Sequence, residues 1–208
     1  MNRKNKRGFT LVELIVVLVI LAILASLLIP ALTGYVTKAK KQAVITEARD
    51  VWTASQAALT ECYALYPESF NDKSNSCRFT ITVNGVTYNN VGRITNGALH
   101  AIQKNPNDKT EAGSSSRRVA AQVLKYLESD GKNPRYTFGN GGLISSAIKP
   151  SAYFNGKPKK TDVIIQIFHT KEGRIVAINF AKDGYMATIV PGQETTCEYD
   201  GACIASRG

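Results

Sequence analysis

At 208 residues the chain has room for one compact head beyond a membrane helix, not two, and it carries no internal repeat or long low-complexity tract. Its formal charge of +10, from 26 basic and 16 acidic residues, is basic but not extreme. Arg3, Lys4, Lys6 and Arg7 supply four of those basic residues and the first eight positions hold no acidic one, so the rest of the chain is left at +6.

That basic tail runs directly into an apolar segment. Between residues 9 and 32 the only charged side chain is Glu13. A helix rises about 1.5 Å per residue, so residues 14–29 cover roughly 24 Å, and the flanking apolar residues extend this to the thickness of a bilayer's hydrocarbon. A secretory signal peptide has the same basic start and apolar core. Here no small-residue cleavage site closes the run, and Pro30-Ala31-Leu32-Thr33 leads into a continuing helical pattern. Glu13 also argues for a membrane helix that assembles. An ionised carboxylate in hydrocarbon costs at least roughly 2.5 to 3.5 kcal/mol on insertion scales, so it is predicted to need a positive partner on a neighbouring copy.

The run Gly8-Phe9-Thr10-Leu11-Val12-Glu13, with its basic leader and Pro30, resembles the type IV pilin family, including the pseudopilins of secretion and DNA-uptake machines. The resemblance covers about the first 50 residues. It implies a prepilin peptidase that cuts between Gly8 and Phe9 and methylates the new Phe9 amine. It also implies that Glu13 attracts the terminal amine of the adjacent subunit during assembly. The implied partners are further copies of the chain, the peptidase, an assembly platform and an ATPase. The implied route runs from single-pass prepilin in the cytoplasmic membrane to structural subunit of an extracellular filament; the alternatives are a pseudopilin of a secretion or DNA-uptake machine and a membrane-anchored binding module that never polymerises. The residues fit these roles physically. The leader's basic side chains hold it in the cytoplasm, Gly8 lets a protease approach the backbone, and a released Phe9 amine can neutralise Glu13 in a low-dielectric bundle.

Beyond Pro30, Ala39, Ala43, Val44, Ala48, Val51, Trp52, Ser55, Ala58, Leu59 and Cys62 recur at steps of three and four, which predicts that the helix continues to about Leu65, before Pro67. The predicted organisation is a removable leader at 1–8, a membrane and assembly half-helix at 9–32, an amphipathic half at 33–66 and an exported head at 67–208. Pro30 and Gly34 are predicted to weaken or bend the helix between its halves. In the head, apolar alternation around Asn84-Gly85 predicts a hairpin, residues 97–104 a short helix, and 117–129 an amphipathic helix stopping at Asp130-Gly131. Residues 136–138 read either as a short strand or as part of a glycine-rich loop. The runs 162–169, 174–180 and 185–190 predict an antiparallel meander with one face on the long helix. The fold class is therefore α+β, a long amino-terminal helix packed on a β-meander head.

All four cysteines lie outside the membrane segment, where an exported compartment would oxidise them. Proximity in sequence pairs Cys62 with Cys77, a closure worth about 3 kcal/mol in the chain-entropy model. Cys197 and Cys203 are predicted to bound a small carboxy-terminal loop, and type IV pilins often carry such a loop there. No C-x-x-C occurs, His100 and His169 have no ligand-spaced partners, and Glu194, Glu198 and Asp200 are too scattered for a strong calcium loop. No cofactor or metal is predicted, and no arrangement of catalytic groups supports an enzyme. The basic surplus offers one candidate contact for nucleic-acid phosphates or another anionic surface. Lys157, Lys159 and Lys160 cluster there, with Arg117, Arg118, Tyr153 and Phe154 as further candidates, against the plainer reading of a solvated turn.

Overall fold

The computed structural model describes residues 10–70, 77–83, 85–105, 115–138 and 162–202. The chain divides into two units, residues 1–40 and residues 41–208. Helix α1 (Leu11–Leu65) provides all that is described of the first unit after Thr10, and it also provides the first helix of the second.

In the first unit, Pro30 lies inside α1 without ending it. Proline has no N–H, so the carbonyl of Ser26 loses its usual donor. Hydroxyls back-bond on either side: Ser26 donates to the Ile23 carbonyl at 2.7 Å and Thr33 to that of Pro30 at 2.9 Å.

In the second unit, Val44, Ala48, Val51, Ser55, Ala58, Leu59 and Cys62 are buried at steps of three and four, one face of α1. Ala39 and Ala43, predicted on that face, are exposed, and Trp52 is half-buried. The helix stops at Leu65 and Pro67 opens a short 3-10 helix, Pro67–Phe70. Then follow β1 (Cys77–Val83), β2 (Val86–Ile94), α2 (Asn96–Lys104), α3 (Ser115–Tyr126) and β3 (Thr137–Phe138). The chain closes with β4 (Asp162–His169), β5 (Ile175–Lys182), β6 (Gly184–Ile189) and β7 (Thr196–Ala202). The sheet runs β1-β2-β4-β5-β6-β7, antiparallel throughout, with β3 added parallel to β4.

Two differences from the sequence reading have local causes. Helix α3 ends at Tyr126 rather than at Asp130-Gly131. Glu128 adopts a left-handed φ of 52°, the Glu128 amide donates to the Lys125 carbonyl and the Ser129 amide donates to that of Leu124. That is a helix-ending motif usually built on glycine. The residues predicted as a carboxy-terminal loop instead form β7, which pairs with β6 and sets Tyr199 edge-on to Tyr185 at 5.3 Å. Pairing there satisfies backbone groups that β6 would otherwise leave open.

Strand β4 organises the head. Its first residues pair with β3 and its last with β2, leaving a gap between them on one edge. Asn96, buried at the start of α2, fills that gap by accepting from the Ile165 amide at 3.3 Å. Thr95 caps α2 by accepting from the Ala98 amide at 3.2 Å. Gln103 of α2 donates to the Ser129 and Tyr136 carbonyls and accepts from the Phe138 amide, so one side chain holds β3 in place.

Ile165, Ile167, Ile178, Phe180 and Ala187 form a core with the buried face of α1 and with α2 and α3. A second core on Ile81, Val83, Val91, Phe168, Val176 and Val190 involves the β1–β2 hairpin, so the sheet is apolar on two sides rather than one. Across β4, β5 and β6 the register partners Gln166, Asn179 and Thr188 make a buried polar row, Thr188 donating to Asn179 at 2.9 Å. A one-residue slip would turn that row toward the opposite face, so the register is fixed.

Three contacts hold the second half of α1 to the sheet side of the head. Lys182 meets both Glu47 oxygens at 2.7 and 2.8 Å, and Arg135 meets Asp50 at 2.7 Å. Gln56 donates to the Gly173 carbonyl and accepts from the Ile175 amide, each at 2.9 Å. Gly173 has φ of 74°, and an added Cβ would lie 3.1 Å from Tyr63 Cβ and 3.2 Å from the Leu59 carbonyl oxygen. Gly173→Ala is therefore expected to cost more than the ~1–2 kcal/mol of left-handed strain alone. Gly85→Ala, at φ of 80° in open space, should cost only the strain. Chemical denaturation of both variants measures the difference.

Candidate functional site

From Leu11 to Lys40 every residue of α1 is exposed, including an unbroken series of leucine, isoleucine and valine side chains. Water-facing apolar surface of that extent marks a membrane or protein contact. The helix is long and apolar enough to cross a membrane.

The start of this helix is a reciprocal cap. The Thr10 hydroxyl accepts from the Glu13 amide at 3.3 Å, and Glu13 Oε2 accepts from the Thr10 amide at 2.9 Å and from its hydroxyl at 2.7 Å. This is the threonine-x-x-glutamate capping box. The spacing is legible in the sequence and gives Glu13 a local role beside the assembly contact that the family resemblance implies. Both accepted bonds fall on Oε2, so Oε1 can take a cation without undoing the cap. Gly8 and Phe9, predicted to be the processing site, lie outside the described residues.

The remaining predicted site residues lie in the head. Cys62 is a buried free thiol, pushed up to about 11 by burial first and by the Glu61 carboxylate second, with Arg118 partly opposing. Cys77 is buried at the start of β1. Cys197 is half-buried on β7 opposite Ala187, and its predicted partner Cys203 lies outside the described residues. Lys157, Lys159 and Lys160 also lie outside them. Arg118 is committed elsewhere: it stands 3.5 Å from Glu68 and its guanidinium lies 4.8 Å from the centre of the Tyr66 ring. Beside it, Glu61 accepts from Gln122 at 2.6 Å and from Tyr126 at 2.9 Å, tying α3 to the end of α1. Both histidines are packing residues here. His100 Nδ1 bonds the Phe138 carbonyl, and His169 is buried with its Nδ1 on the Thr170 carbonyl at 2.9 Å. Among the described residues no three His, Cys, Asp or Glu side chains come together as a metal site.

Comparison with known proteins points to the same end of the chain. Residues 3–29 match a family described as the prokaryotic N-terminal methylation motif. Over 47 residues the chain is 51% identical to the type II secretion system core protein G of Klebsiella michiganensis, covering 23% of this chain and 33% of that protein. The match thus spans about a third of the relative's length. No solved structure matches.

Proposed function

We propose that this chain is a prepilin of the type IV pilin and pseudopilin family, because its amino-terminal segment matches the prokaryotic N-terminal methylation motif and a secretion-system core protein. A prepilin peptidase cuts it between Gly8 and Phe9, and the processed form is a structural subunit of a type IV pilus-like extracellular filament. The observation that carries the reading is the conjunction of a membrane-length apolar helix with the methylation motif and Glu13 at its start. The prepilin sits in the cytoplasmic membrane through residues 9–32. Its helix then packs against those of further copies, with Glu13 taking the neighbour's Phe9 amine, and the head supplies the filament's outer surface. Exported to an oxidising compartment, Cys62 would pair with Cys77.

A second reading, prompted by the match to a secretion-system core protein, is a pseudopilin that stays short and close to the membrane. The matched segment is the part that pilins and pseudopilins share, so it does not separate them. Intact-mass and amino-terminal analysis of protein sheared from the cell surface, compared with the membrane fraction, tests both. Abundant sheared chain beginning with N-methyl Phe9 supports the filament subunit. Processed chain confined to the membrane supports the pseudopilin. A chain still beginning at Met1 overturns the processing step itself.

A further inference from the structure

Lys38 and Lys40 follow the apolar part of α1, both exposed, with Lys41 next in sequence and no acidic residue between Glu13 and Glu47. Ion pairs along a helix form three or four residues apart. Around Lys38 those positions hold Gly34, Tyr35, Lys41 and Gln42; around Lys40 they hold Val36, Thr37, Ala43 and Val44. No carboxylate along the helix balances either charge. Tyr35, 73% exposed, lies one turn ahead of Lys38.

Their depth is informative. At about 1.5 Å per residue, Tyr35 stands roughly 4.5 Å beyond Leu32, Lys38 about 9 Å and Lys40 about 12 Å. Amphipathic aromatic rings favour the headgroup level, and lysine stems run along apolar surface while the ammonium stays at the interface. The other flank of the span carries the leader's four basic residues, which the positive-inside bias keeps in the cytoplasm. Lysines on the far flank run against that bias, so orientation does not account for them.

We propose that Tyr35, Lys38 and Lys40 form an interfacial collar that binds the phosphates of anionic phospholipids in the outer leaflet of the membrane. The inference rests on the membrane-spanning reading given above. Direction around the helix favours lipid over a second subunit. At 3.6 residues per turn Lys38 and Lys40 emerge roughly 160° apart. One neighbouring helix covers one face, whereas a lipid annulus surrounds the whole helix and can meet both charges at once. After the leader is removed, the collar holds the processed subunit in the bilayer until assembly draws it out.

The test uses the full-length chain reconstituted in bilayers of equal parts phosphatidylglycerol and phosphatidylcholine, then re-extracted in mild detergent, with retained lipids counted by mass spectrometry. Wild type is expected to retain phosphatidylglycerol in preference. The Lys38→Gln/Lys40→Gln variant should lose that preference by about fivefold per lysine at low salt, and Lys38→Arg/Lys40→Arg should keep it. A wild-type lipid ratio equal to that of the bilayer, or a glutamine variant that retains as much phosphatidylglycerol as wild type, overturns the collar. So does crosslinking of these lysines to carboxylates of a second copy in place of lipid retention. A chain stripped from the bilayer by alkaline carbonate refutes the membrane-spanning reading itself, and the collar falls with it.

Discussion

Replacing Glu13 with valine is expected to reduce sheared filament by at least about tenfold while leaving the chain in the membrane. A charge-assisted hydrogen bond contributes ~1.5–3 kcal/mol, and each ~1.4 kcal/mol is a factor of ten in an equilibrium, so one lost contact per subunit suffices. The same change removes an ionised group from hydrocarbon, so insertion should improve rather than suffer. The capping box complicates the valine result, since Glu13 also holds the helix start through Thr10. Two further variants separate the roles. Glu13→Gln keeps a side-chain oxygen for the Thr10 amide and hydroxyl but loses the charge. Thr10→Ala keeps the carboxylate and loses much of the cap, at a cost of about 1 kcal/mol. If charge is what assembly requires, the glutamine variant fails like the valine one and the alanine variant assembles at reduced yield. A glutamine variant that builds filaments at the wild-type level would remove Glu13 from the assembly contact.

What could be read in advance follows from how local its cause is. Pro67 stops α1 two residues after Leu65 because a proline cannot continue the ladder, and the left-handed Gly85 turns the first hairpin. The β-branched runs that became β4, β5 and β6 were legible for the same reason. Features set by distant partners were not. Arg118 looks like a free phosphate contact until Glu68 and Tyr66, some fifty residues earlier, are brought beside it. Asn96 stands just before the helix predicted at 97–104 with no local signal of its role, and only the gap between β2 and β3 on β4 gives its side-chain oxygen a purpose. The second apolar face of the sheet depends on where the hairpin docks, which the local pattern around Ile81 and Val83 does not specify. In the functional segment, Thr10-x-x-Glu13 could have been read as a capping box from its spacing.

Acidification is expected to destabilise the head through His169, and most of that loss should vanish when the imidazole is replaced. The ring is 2% exposed at the end of β4, with Phe70 edge-on at 5.5 Å. Its Nδ1 faces the Thr170 carbonyl, which can only accept, so Nδ1 carries a proton. Burial dominates and pushes the imidazole down from 6.5 to about 4, with the Thr170 carbonyl partly opposing. The folded chain therefore refuses a proton that the unfolded chain takes up near 6.5. Above that value the group contributes no pH dependence. As pH falls from about 6.5 to about 4, stability drops by ~1.4 kcal/mol per unit, and about 3 kcal/mol is lost in all. His169→Asn keeps a donor near the Thr170 carbonyl and cannot titrate. It should be less stable than wild type at neutral pH, because it leaves space beside Phe70, yet have a flatter slope across the window. Comparing slopes rather than absolute stabilities removes the cavity cost and the carboxylates common to both proteins. Parallel wild-type and His169→Asn curves between about pH 6.5 and 4 would mean that the ring is reached by water in solution.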